Sequence, residues 1–160
     1  MYASNNLRLL QKIEMSTNKQ HGGESKDTVC KVQFFRSTAK TNCPCIQQSN
    51  IRKYWKSFVK TDLPEVDQCR NAIAVAKKEF GKIDILVNAA GITDRGDIVD
   101  TSEELFDKMI GVNVKGPYFL IQDTVKIMIE QKIQGSIINI GSVSALTGQP
   151  FISAYCTSKG

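Results

Sequence analysis

No stretch of this chain approaches the roughly 20 consecutive apolar residues that carry a helix across a bilayer, which excludes a membrane-spanning helix. The opening MYASNNLRLLQKIEM has no charged cap, no apolar run and no small-residue cleavage site, so a secretory leader is excluded and a cytoplasmic location is expected. Histidine occurs once, at His21 beside Gly22 and Gly23, so Ser-His-Asp chemistry has no evident base. The five cysteines, Cys30, Cys43, Cys45, Cys69 and Cys156, are odd in number and form no Cys-x-x-Cys, which points to reduced thiols. Zinc bound by His21, Cys30, Cys43 and Cys45 would have suitable ligand types, but their spacing matches no recurrent site, so no metal is expected. There is no internal repeat and no long low-complexity tract.

Long runs of one charge are missing too. Residues 1–61 carry 11 Lys/Arg against 3 Asp/Glu and residues 62–160 carry 10 against 13, so the net charge of +5 divides into about +8 and −3. The basic residues of the front segment are scattered, with only Arg52 and Lys53 adjacent, and nucleic-acid binding by counterion release is not expected. What is present is a chain of 160 residues with 41% hydrophobic content, enough for one domain with a sizeable core.

The pattern changes along the chain. Residues 1–56 are rich in Ser, Asn, Gln, Lys and Gly, and a poorly ordered basic segment is expected there; LRLLQKI at 7–13 suits a short amphipathic helix and VCKVQFF at 29–35 a strand. From 57 to 160 the elements alternate regularly. SFVKTDL reads as a strand, with Pro64 in the first turn of a helix whose apolar face is Val66, Cys69, Ile73, Ala76 and Phe80, ending at Gly81. IDILVNAA follows as a strand buried on both faces. A capping box between Thr101 and Glu104 opens a long helix running to about residue 132, with a bend near Asn113 caused by Gly116-Pro117. SIINIGS at 136–142 is the next buried strand, with Ser142 at its end. Strand, helix, strand, long helix, strand is the order of a parallel sheet flanked by helices, whose ligands bind beyond the C-terminal strand ends.

Tyr155 and Lys159 stand four residues apart on one helical face, close enough for the ammonium to act on the phenol. A Tyr titrates near ~10, so supplying phenolate at neutral pH requires a shift of about three units, roughly 4 kcal/mol, of which an adjacent Lys can contribute much. Together with Asp62 after a strand, Asn88-Ala89-Ala90-Gly91, Asn113 in the long helix and Ser142 after its strand, the set resembles the short-chain dehydrogenase/reductase family, including its 3-oxoacyl-carrier-protein reductase and sugar-alcohol dehydrogenase-like members. The resemblance covers about residues 57–160. It implies a three-layer α/β/α, doubly wound parallel sheet of Rossmann type, here incomplete, and an NAD- or NADP-dependent oxidoreductase interconverting small-molecule carbonyls and alcohols.

Carried over position by position, the resemblance makes Tyr155 the general acid/base. Lys159 lowers the Tyr titration and holds the nicotinamide ribose, Ser142 polarises the substrate oxygen, and Asn113 helps hold the lysine through a water. Asp62 reads the adenine amino group, although its place before Pro64 equally suits a helix cap. Asn88, Ala89, Ala90 and Gly91 form the turn beside the adenosine, with Ala89 where the family more often has Asn. The family's Gly-rich phosphate turn has no counterpart here, and the sequence reaches only one residue past Lys159, so a truncated domain with impaired catalysis is expected. A helix carrying only Tyr155 to Lys159 would be marginal by itself. The alternative is a non-catalytic fragment that acts as an interaction or oligomerisation module, pairing with a copy of itself or a full-length relative through an unpaired sheet edge.

Overall fold

A computed structural model of the chain describes residues 8–15, 30–37, 55–93 and 95–160, the first two segments and residues 55–57 by their backbone. The elements are β1 (Arg8–Met15), β2 (Cys30–Ser37), β3 (Trp55–Thr61), α1 (Val66–Phe80), β4 (Ile85–Asn88), α2 (Glu103–Ile110), a π-helical segment (Gly111–Lys115), α3 (Gly116–Glu130), β5 (Ser136–Asn139), α4 (Val143–Thr147) and α5 (Ser153–Lys159). His21, Cys43 and Cys45 of the weighed zinc set, Gly22-Gly23 and most of the segment expected to be poorly ordered lie outside the described residues.

The five strands form one sheet in the order β3-β2-β1-β4-β5. β1, β4 and β5 are mutually parallel, whereas β2 runs antiparallel to both β1 and β3. The order 3-2-1-4-5 is that of a doubly wound sheet, with one strand reversed relative to the expected all-parallel arrangement. A parallel β1/β2 pair needs a crossover, usually a helix. The sequence of 16–29 carries no helical period of apolar residues that could provide one.

Residues 30–35 of the strand read at 29–35 belong to β2, while residues 8–13 of the segment read as a helix at 7–13 belong to β1; Leu7 and Val29 lie outside the described residues. Backbone pairing settles that difference. β1 bonds to β2 on one side and to β4 on the other, with Leu10 opposite both Phe35 and Ile85. A central strand gains two ladders that a local apolar period cannot foretell.

α1 follows its predicted face closely, burying Cys69, Ala72, Ile73 and Ala76. It stops where Gly81 enters the left-handed region at φ 77° and donates to Lys77 O at 2.8 Å. Its N-cap is Glu65, whose side chain makes no cap bond, three residues after the Asp62 position that suited a cap; the Asp62 carbonyl accepts from Glu65 N at 3.1 Å. α2 starts one residue later than the Thr101 box predicts. Ser102 Oγ accepts from Leu105 N at 3.2 Å, while the Thr101 hydroxyl turns back to donate to Asp97 O at 2.7 Å.

The bend expected near Asn113 is a π-helical turn. Gly116 N reaches back to Gly111 O, a five-residue step, and Pro117, which has no N–H to give, falls in the first turn of α3. α1 and α3 pack together on one face of the sheet, α1 against β2 and β3 and α3 against β4. Leu63, Ile73, Ile83, Leu86, Val112 and Leu120 are at the centre of the core. Because successive strand residues face opposite sides, Leu86 and Ile137 point toward the helices and Ile138 away from them; Ile138 is 44% exposed. The described residues thus form the sheet and one helical layer. None of their helices is long and apolar enough to cross a membrane.

Two contacts, one from α1 and one from the long helix, meet on the turn after β3. Cys69 Sγ donates to Leu63 O at 3.4 Å. Burial, reinforced by Asp62 and opposed by Lys115, pushes that thiol up to about 11, so it stays a protonated donor. A β-carbon at Gly116 would meet Leu63 Cβ at 2.6 Å and the Leu63 carbonyl oxygen at 2.8 Å, closer than backbone allows. Gly116→Ala is therefore expected to lower the unfolding free energy by about 1–3 kcal/mol, read as an earlier urea midpoint. An unchanged or later midpoint would show that the Leu63 turn yields at no cost.

Candidate active site

The site lies beyond the C-terminal ends of β4 and β5, where parallel strands leave a crevice for loops. The two strands pair from Ile85 opposite Ser136 to Asn88 opposite Asn139. At that last rung Asn88 Nδ2 donates to Asn139 Oδ1 at 2.8 Å. Asn88 is 96% buried and its Oδ1 has no partner among the described residues. Ala89, buried Ala90 and Gly91 carry the chain out of the sheet.

Asn113 holds this turn. The π-helical step aims its side chain back at the loop, where Oδ1 accepts from Ile92 N at 2.8 Å and Nδ2 donates to Ile92 O at 2.9 Å. The amide thus pairs with a backbone peptide as a neighbouring strand would. Nδ2 also donates to Ser158 Oγ at 2.8 Å, reaching the helix that carries Tyr155 and Lys159. Met109 Sδ, at 3.3 Å, completes its surroundings.

Lys159 enters from the end of α5 and donates through Nζ to Ile140 O at 2.9 Å, just past β5. A β-carbon on Gly91 would come within 3.2 Å of Lys159 Nζ and 3.3 Å of Asn113 Oδ1. Glycine is the residue that lets turn, amide and ammonium approach one another. These tertiary bonds also explain how the seven-residue α5, marginal by itself, is held.

Ser142 is half-buried at the N-cap of α4, and its Oγ accepts from Ser144 N at 3.3 Å, which leaves the hydroxyl hydrogen available to donate. The strand stops at Asn139, so Ser142 sits in the connection rather than at the strand end, and β5, last in the sheet order, is mostly exposed rather than buried as expected. α4 packs against α5, where Tyr155 is half-buried. Asp62 follows β3, which two strands separate from β4 in the sheet order. Its turn is nonetheless pressed onto the Asn113 segment, because Pro64 lies against Gly111 and Leu63 against Gly116.

A cavity of about 310 Å³ is lined by Asn88, Ala90, Asn113, Asn139 and Lys159 among others. A second of about 730 Å³ opens between the loop of Arg95 and Gly96 and the loop of Gln149 and Phe151. The walls of the second are clamped together: Gly96 N donates to Phe151 O at 2.8 Å, and the Ser153 hydroxyl donates to Gly96 O at 3.4 Å. Phe151 sits in the left-handed region at φ 64°, a strained place for a bulky residue. Sequence reasoning passed over this clamp and Ser158. Phe carries no signal for positive φ, and Ser158 inside Tyr-Cys-Thr-Ser-Lys reads as an ordinary helical residue.

Gly91→Ala should push Lys159 out of its bond to Ile140 O, since the side-chain end of Lys can yield while Asn113 is held by three hydrogen bonds. Peptide mapping after brief treatment with an amine-reactive reagent should then find Lys159 modified faster than in the parent. An equal rate would show that the turn relaxes instead.

The short chain dehydrogenase family model matches residues 29–160, beginning before residue 57, where the motifs set the start of the resemblance. Galactitol 2-dehydrogenase of Agrobacterium fabrum is 36% identical over 101 residues, covering 63% of this chain and 40% of that protein. The 3-oxoacyl-(acyl-carrier-protein) reductase of Thermotoga maritima is 40% identical over 93 residues, 58% of this chain and 37% of that protein. Among solved structures, 4-hydroxyisoleucine dehydrogenase complexed with NADH superposes with a TM-score of 0.59 at 38% identity, over 63% of this chain and 44% of that one. ElxO with NADP bound gives 0.60 at 36% identity, over 64% and 42%. The chain spans less than half the length of each of these proteins. With the doubly wound strand order and the match across residues 29–160 agreeing, the chain belongs to the short chain dehydrogenase family.

Proposed function

We propose that the chain carries the catalytic part of an NAD- or NADP-dependent oxidoreductase that interconverts a small-molecule carbonyl and its alcohol. The observation that carries this reading is the Asn113 amide, which gathers the Asn88–Gly91 turn and the helix of Tyr155 and Lys159 around one crevice. One feature of that crevice fits a dinucleotide: the Asn88 Oδ1, a buried acceptor with no partner among the described residues. Asp62, Asn88, Ala89, Ala90, Gly91, Tyr155 and Lys159 would hold it, and when bound it supplies or accepts the hydride. Galactitol 2-dehydrogenase and the 3-oxoacyl reductase, among the relatives, are consistent with an alcohol or carbonyl substrate.

The proton chemistry falls to the chain's own residues. In reduction, the Tyr155 hydroxyl gives its proton to the substrate oxygen; in oxidation, it takes the proton back. Ser142, whose hydroxyl hydrogen is uncommitted, donates to that same oxygen and stabilises the charge developing on it. Lys159 places a positive charge beside the crevice, and Asn113 fixes the helix that presents it. The only glycines in the sequence between β1 and β2 are Gly22-Gly23, short of the family's Gly-rich pyrophosphate pattern, so a weak cofactor affinity is expected.

The test is turnover of a panel of carbonyl compounds followed by loss of reduced nicotinamide absorbance, with Tyr155→Phe as the control. Turnover at least about 10²-fold above the variant is expected, with dinucleotide binding retained in both. Equal rates in the two proteins would remove Tyr155 from the chemistry.

A second reading is favoured by one observation. β5 is an edge strand of the sheet, and Ile138 and Ile140 on and beyond it are 44% and 49% exposed. That edge suits pairing with a copy of the chain or with a full-length relative. Light scattering after gel filtration should show a dimer or larger species; a well-behaved monomer that binds no relative would sink this reading.

A further inference from the structure

Ser158 lies in none of the roles above, yet it is 93% buried and both bonding capacities of its hydroxyl are used. Its Oγ accepts from Asn113 Nδ2 at 2.8 Å and donates to Tyr155 O at 2.8 Å. The second bond alone would be ordinary, because helical serines often bond to a carbonyl one turn back. The first is not local: it joins residues 45 positions apart. It also consumes an amide hydrogen whose partner on the same nitrogen is already given to Ile92 O. Removing the hydroxyl would therefore leave a buried donor without its oxygen partner.

We propose that Ser158 is a positioning residue that sets the rotation of α5 and thereby places Tyr155 and Lys159 against the Gly91 turn. The geometry of a short helix makes one such tie sufficient. Residues three and four apart share a face, so a bond at Ser158 constrains Tyr155 one turn back, and the adjoining Lys159 turns with the same backbone. α5 has no side-chain cap at its N-terminus to hold it otherwise. Beside its packing against α2 and α4, its other side-chain hydrogen bonds to the rest of the described residues are that of Lys159 to Ile140 O, which is itself in the crevice, and that of Ser153 to Gly96 O at 3.4 Å. Ser158 is the interior tie, shielded from water, and it runs through the amide that holds the Asn88–Gly91 turn.

The kinetic side of this proposal rests on the oxidoreductase reading, and the test therefore has two arms on the full chain with Ser158→Ala and Ser158→Thr. In the first, NMR follows exchange of the Asn113 side-chain amide hydrogens and the backbone amides of α5. Ser158→Ala should speed that exchange by about tenfold, and Ser158→Thr, which keeps a hydroxyl, should return it to within a few-fold of the parent. In the second arm, kcat should fall about tenfold in Ser158→Ala while dinucleotide Kd stays close to the parent's, the urea midpoint falls as the stranded donor requires, and Ser158→Thr restores both kcat and midpoint. Unchanged exchange at Asn113 overturns the proposal, as does faster exchange with unchanged kcat, or a loss of kcat that persists in Ser158→Thr once exchange has returned to the parent's. If the parent turns over no carbonyl compound, the oxidoreductase reading fails, and the exchange arm alone decides whether Ser158 positions α5.

Discussion

The site depends on a single buried side-chain amide. Asn113 has one acceptor oxygen and two donor hydrogens, and all three are engaged: Ile92 N, Ile92 O and Ser158 Oγ. At 8% exposure it has little water to fall back on, so losing a partner costs about 1–3 kcal/mol. That cost is why three stretches distant in sequence, the turn after β4, the long helix and α5, take one relative arrangement. The amide is aimed by a π-helical turn, a widening of the helix that recurs at functional positions because it redirects a side chain without ending the helix. The turn in turn depends on Gly116 and Gly111, which let it sit directly on Leu63 and Pro64.

The sheet supplies the frame for that arrangement. β4 and β5 run parallel, so their loops emerge on the same side, and the Asn88 to Asn139 bond closes their last rung. β2 could reverse direction without disturbing this, because it lies on the far side of β1 from both strands. The consequence falls on the edge formed by β1, β2 and β3. There, antiparallel pairing replaces crossovers, and α1 carries the chain from the outermost strand back to β4. Ionic contacts between the packed helices, such as Lys77 to Glu130 at 2.7 Å, are solvent-exposed and add little; apolar burial between α1 and α3 does most of the holding.

Much of the region from residue 57 onward could be read directly, because its elements are specified by nearest neighbours along the chain. The apolar spacing from Val66 to Phe80, the glycine stop at Gly81 and the unbroken run of IDILVNAA each encode local geometry. Pro117 announced a helix irregularity for a chemical reason, its missing donor, and only the π form of that irregularity was not foreseeable. The Thr101 and Ser102 choice was a near tie between adjacent hydroxyls, decided when Asp97 O captured the first. Residues 7–13 misled because their apolar period is compatible with a helix, while the competing ladders to β2 and β4 come from residues far along the chain.

By itself, the amino-acid sequence determined the kind of chemistry on offer. Tyr155 and Lys159 one helical turn apart, Ser142 after a strand and Asn113 before a proline are residue types and spacings, and spacing survives into any helix or strand. Only the tertiary structure decided what those residues touch: that Asn113 binds a backbone peptide and Ser158, that Lys159 reaches Ile140 O, and that Phe151 is held at positive φ to clamp the second cavity. The physical reason is range. Helical and strand periods arise from contacts a few residues apart, whereas a buried amide finds its partners across 21 and 45 residues, and no local pattern records which oxygen it meets.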